Sequence, residues 1–509
     1  MKINEVFRSY DLTEDQELLI NKLDDFLNNN TNNVFVLKGK AGTGKTFIIK
    51  GLTEYLQTKN RNFILAATTG KAATVISKKT GFSAYTIHKT IYSYSDLKEY
   101  SDKVLGSETY KFYFDIAINI NKEDLVLIID EASMISDTYS ELEFFRWGSG
   151  YILKDIFTFM NFDENKYTKK IIFIGDDAQL PPVKMNFSPA IDEKYLREKY
   201  SARTTSFSLN TIVRQKKESG ISNNANILRE SIAKNKFYKL EINFLYDDIH
   251  KISGENLVDS YIDNYCKSKE DGSILIAYSN AEVLKYNYEI RSRLFNSDDV
   301  LIRSGDKIVS NKNTLQYGKL ICNGDFGEIV DVNNELIERN IVIKNRNKNT
   351  DIVEEINVPL KFRKILVNFK DINFRDQIFE AFCIENLLHS TNPILTSNEN
   401  KALYIDFCIR HPELKKNTQE FKNMLRSDPF FNCLQIKFGY AITCHKSQGS
   451  EWKNVYVKCS NTIPVLSINY FRWLYTAMTR ASENLYLLNP PNIKIYSGLK
   501  VTKIPFLKF

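Results

Sequence analysis

Two short runs in this 509-residue chain carry the residue types and spacing that handle a phosphorylated ligand. The first is Gly39-Lys40-Ala41-Gly42-Thr43-Gly44-Lys45-Thr46, which fits G-x-x-x-x-G-K-[ST], the P-loop pattern. Gly39, Gly42 and Gly44 let the backbone curl with its N–H groups turned inward, and the following helix start adds its positive dipole end. Lys45 has the reach and charge for β- and γ-phosphates, and the Thr46 hydroxyl can hold Mg²⁺. The bland alternative is a Gly-rich strand-to-helix turn that binds nothing. The second run is Asp130-Glu131-Ala132-Ser133, two adjacent carboxylates at the end of an apolar segment. Such a pair is costly to desolvate unless it is paired or lies beside a metal. Next to a P-loop, Asp130 suits Mg²⁺ held through water, and Glu131 suits a general base on the attacking water.

These groups need a scaffold, and the apolar pattern supplies one. Val34–Leu37 reads as a strand running into the P-loop, and Thr46–Gln57 as the helix leaving it. Asp124-Leu125-Val126-Leu127-Ile128-Ile129 and Lys169-Lys170-Ile171-Ile172-Phe173-Ile174 are continuous runs of the buried parallel-strand type. The latter runs into Gly175-Asp176-Asp177-Ala178-Gln179-Leu180-Pro181-Pro182-Val183, where Gln179 could sense a γ-phosphate or the attacking water; alone, this could be a simple turn. Phe63–Ala66 reads as a strand entering Ala67-Thr68-Thr69-Gly70-Lys71-Ala72-Ala73, and Thr86-Ile87-His88-Lys89-Thr90-Ile91 is a similar polar cluster. Small and hydroxylated residues at a strand's carboxyl end suit close approach of a ligand, because open α/β sheets bind at that edge. Thr13 and Gln16 form a T-x-x-Q capping box ahead of an amphipathic helix. Gln16 also has the carboxamide needed to bond an adenine edge, and the two roles are compatible. Arg214, after Phe207–Val213, is a candidate phosphate clamp, with an ordinary surface arginine as the alternative.

The segment Tyr92–Asn121 interleaves Tyr92, Tyr94, Tyr100, Tyr110, Phe112, Tyr113 and Phe114 with Lys98, Lys103 and Lys111. Its alternation predicts part of a β-hairpin, suited to base stacking and phosphate contact or simply packed on its parent domain. A second set of α/β signals starts at Ser273–Ala277, with a helix over Ala281–Phe295. From Gly305 to about Ile343 short strands and turns predict a small β-barrel insert, and Ile356–Phe431 reads as mixed, with helical stretches around Ile378–Leu388 and Leu403–Leu425. The α/β pattern resumes from Leu434 through Thr443-Cys444-His445-Lys446-Ser447-Gln448-Gly449-Ser450-Glu451, Val455–Val457, a helical face ending near Arg480, and Asn484–Leu488.

The length calls for roughly three or four domains. No apolar run approaches the ~20 residues that span a bilayer, and Met1–Gln16 lacks an apolar signal core, so the reading is a cytoplasmic protein. Seven scattered cysteines without a C-x-x-C pair fit reduced thiols and no zinc site. A net charge of +7 permits nucleic-acid binding without being diagnostic of it.

Taken in order, the P-loop, A-T-T-G-K-A-A, T-I-H-K-T, D-E-A-S, G-D-D-A-Q-L-P-P-V, I-V-R-Q, T-C-H-K-S-Q-G-S-E and Y-T-A-M-T-R-A resemble the motif series of superfamily 1 DNA helicases. The D-E-A-S, Q-L-P-P-V and T-C-H-K-S-Q-G-S-E forms resemble the RecD/Dda branch, which moves 5′ to 3′. The resemblance covers Thr13 to about Leu488 and implies an α/β fold of two RecA-like P-loop domains, with a β-hairpin pin and an SH3-like β-barrel as inserts. It implies domain 1 at 1–91 and 122–200, the pin at 92–121, domain 2 at 201–305 and 432–509, and an SH3-like insert with additional helical elements at 306–431. The latter half of that insert is enlarged relative to the family.

Carried over, Gln16 would read adenine, Lys45 and Thr46 would hold phosphates and Mg²⁺, and Asp130 would be the metal-side carboxylate with Glu131 the base. Gln179 would couple the γ-phosphate to closure, Arg214 and Arg480 would be arginine fingers, and Glu451 would touch the ribose near Gly449. Thr68, Thr69 and His88 would grip DNA from the first domain, Thr443, His445 and Ser447 from the second, and Tyr110 and Phe112 would lie on the pin. The implied cofactors are ATP and Mg²⁺. The implied partners are single-stranded and forked DNA, with single-strand-binding or replication proteins as candidates, no membrane, and a monomeric state in the host-cell cytoplasm if phage-encoded. A translocase that displaces bound proteins with little unwinding, a DNA-binding subunit with a vestigial ATPase, and RNA as the substrate stay open.

Overall fold

The computed structural model describes residues 2–494, apart from 102–109, 120–123, 142–144, 163–167, 214–218, 269–271, 315–320, 347–352, 372–374, 417 and 461. The continuous apolar runs at Val34–Gly39, Phe63–Ala67, Val126–Asp130 and Lys170–Gly175 form neighbouring strands of a six-stranded, all-parallel sheet. Its edges are Ala84–Thr86 and Thr204–Leu209. Burial on both faces explains why these runs are continuous rather than alternating. Lys170–Gly175 lies between the P-loop strand and the Val126–Asp130 strand, with Lys38 opposite Gly175 and Ile129 opposite Phe173. The P-loop, the Asp130-Glu131 pair and the Asp176–Gln179 turn therefore leave the sheet side by side at one edge. Ala67 is in register with Asp130, so Thr68 and Thr69 leave there too.

A second parallel sheet of five strands runs in the order Ile249–Ile252, Ala481–Leu488, Trp452–Lys458, Ser273–Ala277 and Ala441–Thr443. The helix Ile468–Met478 packs against the helix Gly220–Ala233, and Tyr470, Phe471, Leu474 and Met478 are buried with Ile221 and Leu228 in one apolar cluster. Ala178 and Leu180, from the first sheet's edge, belong to that same cluster. The segment carrying Gln179 is thus built into the second unit.

The region after Gly305 forms a curled antiparallel sheet in the order Asp376–Ile384, Val353–Lys370, Phe326–Arg346, Lys307–Ser310 and Ile436–Phe438. Its two edges meet: Leu434 N–H donates to Phe382 O (2.7 Å), and Ile384 N–H donates to Leu434 O (3.2 Å). Ile308, Ile329, Ile365, Val367, Phe369, Cys383 and Phe438 fill its core. Two expectations are corrected here. The stretch Ile378–Leu388 is a strand through Ile384, with only Glu385–Leu388 helical, because Phe379, Ala381 and Cys383 alternate inward along the neighbouring strand. The start of the returning segment, Ile436–Phe438, pairs with Lys307–Ser310 and completes the antiparallel sheet before Ala441 enters the parallel one.

Beyond the curled sheet the Phe326–Arg346 and Val353–Lys370 strands continue as a long ribbon. Helices Ser397–Arg410 and Gln419–Ser427 cover it, around Ile341, Val358, Leu360, Phe362, Phe407 and Leu425. Tyr92–Ser101 and Tyr110–Ile116 pair antiparallel as the expected hairpin, and Phe145–Trp147 adds a parallel third strand to it. Among the described residues no helix is long and apolar enough to cross a membrane.

Candidate active site

The P-loop has the backbone its glycines predict. Gly42 and Gly44 have φ of +79° and +86°, where an L side chain is strained, and a Cβ on Gly44 would lie 2.8 Å from Gln16 Nε2. Lys45 begins the helix Lys45–Thr58 and folds back over the loop, donating to Gly39 O (2.8 Å) and Lys40 O (2.9 Å). Its ammonium thus sits at the loop's mouth on backbone acceptors that a phosphate could replace. Thr46 is half-buried beside it.

Gln16 is buried and forms both halves of the capping box: its N–H donates to Thr13 Oγ1, and its Oε1 accepts from Thr13 N–H (3.1 Å). Its remaining amide donates to Thr43 O (3.2 Å), bracing the loop. Val213 N–H donates to Gly42 O (2.9 Å), so the chain just before Arg214 is tied to the P-loop, while Arg214 itself lies outside the described residues.

Asp130 ends its strand buried, with Glu131 N–H donating to its Oδ1 (2.9 Å). Glu131 holds φ 52°, ψ 33°, a left-handed backbone rare for a non-glycine residue and typical of strained functional turns. Burial pushes the Asp130 carboxyl up, against the opposing charge of Lys45. Burial and the neighbouring Asp130 raise Glu131 to about 7, with Arg480 and Lys45 pulling the other way. A carboxyl held in that range is matched to proton transfer at neutral pH.

Asp176 is fully buried and accepts from Ala178 N–H (3.1 Å), Tyr475 OH (2.7 Å) and Arg229 Nη1. Burial works to raise this carboxyl, but Arg229, Lys45 and those hydrogen bonds hold it below the usual carboxylate range. Gln179 is buried, and its Oε1 has no hydrogen-bond partner among the described residues.

The second unit completes this edge. Leu180 N–H donates to Thr476 Oγ1 (2.9 Å), and Gln448 Nε2 donates to Leu180 O (3.0 Å). Gly449, at φ +72°, lies so close to the first unit that a Cβ would be 3.2 Å from both Ala72 Cβ and Thr69 Oγ1 and 3.7 Å from Glu131 Cγ. A small cavity of about 90 Å³ has Lys40, Ala41 and Gly42 on one wall and Glu451, Tyr475 and Thr479 on the other.

Arg480 is buried against its own unit, donating to Thr476 O (2.9 Å), Ser450 O (3.2 Å) and Thr479 Oγ1 (3.2 Å). The expected finger is therefore folded back as a cap on the Ile468–Met478 helix, with its charge still acting on Glu131.

The residues expected to grip a strand are unequal. Thr68 Oγ1 donates to Met134 Sδ (3.4 Å), and Thr69 caps the helix Gly70–Thr80 through Ala72 N–H. His88 is half-buried, edge-on to Trp147 and tilted against Tyr92, and burial lowers it to about 4, so it is neutral at pH 7. Thr443 is half-buried and His445 exposed. Ser447 is corrected: it is fully buried and donates to Cys444 O (2.7 Å), so its hydroxyl serves the turn rather than a ligand. Tyr110 and Phe112 lie on the hairpin's second strand, their side chains outside the described set.

With this geometry in hand, comparison with known proteins is specific. Residues 12–142 match an AAA domain model, and residues 438–488 match a UvrD-like helicase C-terminal domain model. The chain is 25% identical to the RecBCD enzyme subunit RecD of Buchnera aphidicola subsp. Schizaphis graminum, over 92% of this chain and 72% of that one. It is 24% identical to the ATP-dependent DNA helicase Pif1 of Campylobacter jejuni, over 92% of this chain and 90% of that one. Along most of its length the chain is thus similar to RecD and Pif1 helicases. The match to a solved Bacteroides Pif1 structure in complex with ADP-AlF3 and ssDNA covers 94% of this chain at 19% identity, with a TM-score of 0.44.

Sequence reasoning missed four groups at this cleft. Tyr475 and Thr476 lay inside a recognised motif, and Gln448 inside another, so position alone could have flagged them. Arg229 sits on an ordinary amphipathic helix and left no signal.

Proposed function

We propose that this chain is an ATP-dependent DNA helicase that translocates 5′ to 3′ on single-stranded DNA and splits duplex with its hairpin. The observation that carries the reading is the split cleft. The P-loop, Asp130 and Glu131 stand on one parallel sheet, and Thr476, Gln448, Gly449 and Arg480 reach the same edge from another. Phosphoryl transfer needs positioning and charge neutralisation more than covalent chemistry. A site shared by two units makes that positioning depend on closure.

In this reading the two parallel sheets are RecA-like domains, and the curled sheet is an SH3-like insert. The donors present fit Mg-ATP: a P-loop of inward backbone and one ammonium, a threonine hydroxyl, and a buried carboxylate with one strand between it and the loop. Thr46 and Asp130 would hold Mg²⁺, which supplies charge neutralisation of the phosphates. Lys45 leaves its backbone acceptors for the phosphates. Glu131, held near neutrality, takes the proton of the attacking water, and Gln179 relays occupancy through Leu180 to Thr476 and Gln448. Arg480, and Arg214 from the segment tied to Gly42, turn toward the phosphates when nucleotide binds. Gln16, beside the P-loop, reads the adenine, and Glu451, across the cleft from residues 40–42, the ribose.

The strand would lie across Thr68, Thr69 and His88 and then Thr443 and His445, so closing and opening the cleft shifts one grip relative to the other. The Tyr92–Ile116 hairpin, rooted on Trp147 and His88, would stand where the duplex arrives. Unwinding of forks carrying only a 5′ or only a 3′ single-stranded tail tests the proposal. Strand separation from the 5′-tailed substrate is expected, and preference for the 3′ tail would reverse the polarity assignment.

A further inference from the structure

Asp176 is a third carboxylate at the nucleotide edge, after Asp130 and Glu131, and the mechanism above gives it no task. Its surroundings are unusual in origin. The carboxylate lies on the first unit, yet both side chains that satisfy it come from the second. Arg229, on the helix Gly220–Ala233, places Nη1 on Asp176 and Nη2 on Asp177 (2.7 Å), one fork across two consecutive carboxylates. Tyr475, on the helix Ile468–Met478, donates its hydroxyl to the other Asp176 oxygen (2.7 Å). The Arg229 side chain is 13% exposed and that of Asp176 is 0% exposed, so the pair is shielded from water and each needs the other. Gln179 N–H donates to Asp176 O (3.3 Å), so whatever fixes Asp176 fixes the turn that presents Gln179.

We infer that Arg229 is a positioning residue for ATP turnover: forked onto Asp176 and Asp177, it locks the Gln179 turn to the second unit and so holds the cleft in its closed geometry. Opening the cleft strips Asp176 of Arg229 and Tyr475 together and releases the turn. A guanidinium is required because a single ammonium cannot span two carboxylates in a fixed plane. The inference rests on the ATPase reading and adds to it a residue that touches neither nucleotide nor DNA.

The test compares the full-length wild type with Arg229→Met, Arg229→Lys and the double variant Asp176→Asn/Arg229→Met, which leaves no orphaned buried charge. Three quantities are read: kcat of ATPase stimulated by single-stranded DNA, affinity for a fluorescent ADP, and melting temperature. Arg229→Met and the double variant are expected to lose about tenfold or more in kcat while ADP affinity stays within about threefold, since interactions made on closure affect turnover rather than ground-state binding. Arg229→Lys is expected to fall between them and the wild type. If Arg229→Met is insoluble, the double variant decides alone. Wild-type kcat with only a lowered melting temperature would show a merely structural pair and overturn the inference, as would a proportional loss of ADP affinity. Absence of DNA-stimulated ATPase in the wild type would instead overturn the functional reading beneath it.

Discussion

Thr476→Val removes one oxygen from the joint between the two units and little else. Thr476 is fully buried on the Ile468–Met478 helix, and its Oγ1 accepts the Leu180 N–H at 2.9 Å. Valine keeps the shape, and the Thr476 main-chain carbonyl that holds Arg480 is untouched. In the closed cleft the Leu180 N–H is left buried without an acceptor, whereas in an open cleft water can reach it. The penalty of about 1–3 kcal/mol for an unsatisfied buried donor therefore falls on the closed state alone. That shifts the closed-to-open ratio roughly 5- to 150-fold, taking tenfold for each 1.4 kcal/mol. The assay is steady-state ATPase with saturating single-stranded DNA, beside ADP affinity measured without DNA. Turnover is expected to fall by a factor in that range, and ADP affinity, set by the P-loop, is expected to hold. Wild-type turnover in Thr476→Val would refute the argument that closure at Leu180 limits hydrolysis.

Other perturbations follow from the same geometry. Glu131→Gln keeps the hydrogen-bonding shape but cannot take a proton, so ATP should still bind while hydrolysis drops by roughly 10²-fold or more in rapid-quench measurements; near-normal turnover would remove Glu131 as the base. Gly44→Ala places a methyl 2.8 Å from Gln16 Nε2 at a positive φ and should weaken nucleotide binding in equilibrium titration, with unchanged affinity counting against the tight loop. Trp147→Ala removes the ring stacked on Phe114 at 4.2 Å and should depress fork unwinding while sparing ATPase on single strands; equal loss of both would make the third strand structural.

Asp325 gives a pH signature. Burial pushes its carboxyl up to about 6, against a hydrogen bond from Cys322 N–H and the charge of Lys71. A carboxyl whose folded pKa is raised binds its proton more tightly when folded, so it costs stability increasingly from about pH 4 to pH 6 and fully above. Asp325→Asn should therefore stabilise the protein at pH 7.5 by at most about 3 kcal/mol, with the gain vanishing near pH 4. A gain that persists unchanged at pH 4 would contradict this sign.

The two parallel sheets were legible because strands buried on both faces must be largely apolar, as residues 126–129 and 171–174 are in the first and 274–277 in the second. The P-loop was legible because its glycines answer a backbone demand. The long ribbon was not. In Val353–Lys370 the side chains of Val358, Leu360 and Phe362 pack under the helices, while Ile365, Val367 and Phe369 fill the curled sheet on the other face. One strand serving two cores gives no single alternation to read. Phe145–Trp147 is too short for any period, and its partner strand is some thirty residues away in the chain. Arg229 and Asp176 are paired only by the meeting of two units, a relation that local pattern does not carry. Ser447 shows the opposite failure: a residue inside a legible motif faces the core, because a motif fixes the turn and not which side chain points outward.

The central claim is that nucleotide occupancy at Lys45 is read as closure of two units. Single-molecule energy transfer between dyes at the exposed positions 59 and 285, with exposed Cys266 replaced by serine, measures that directly. With single-stranded DNA bound, a non-hydrolysable ATP analogue is expected to shift the population toward one short distance, and Thr476→Val is expected to blunt the shift. A distance distribution that does not respond to the analogue would contradict the account.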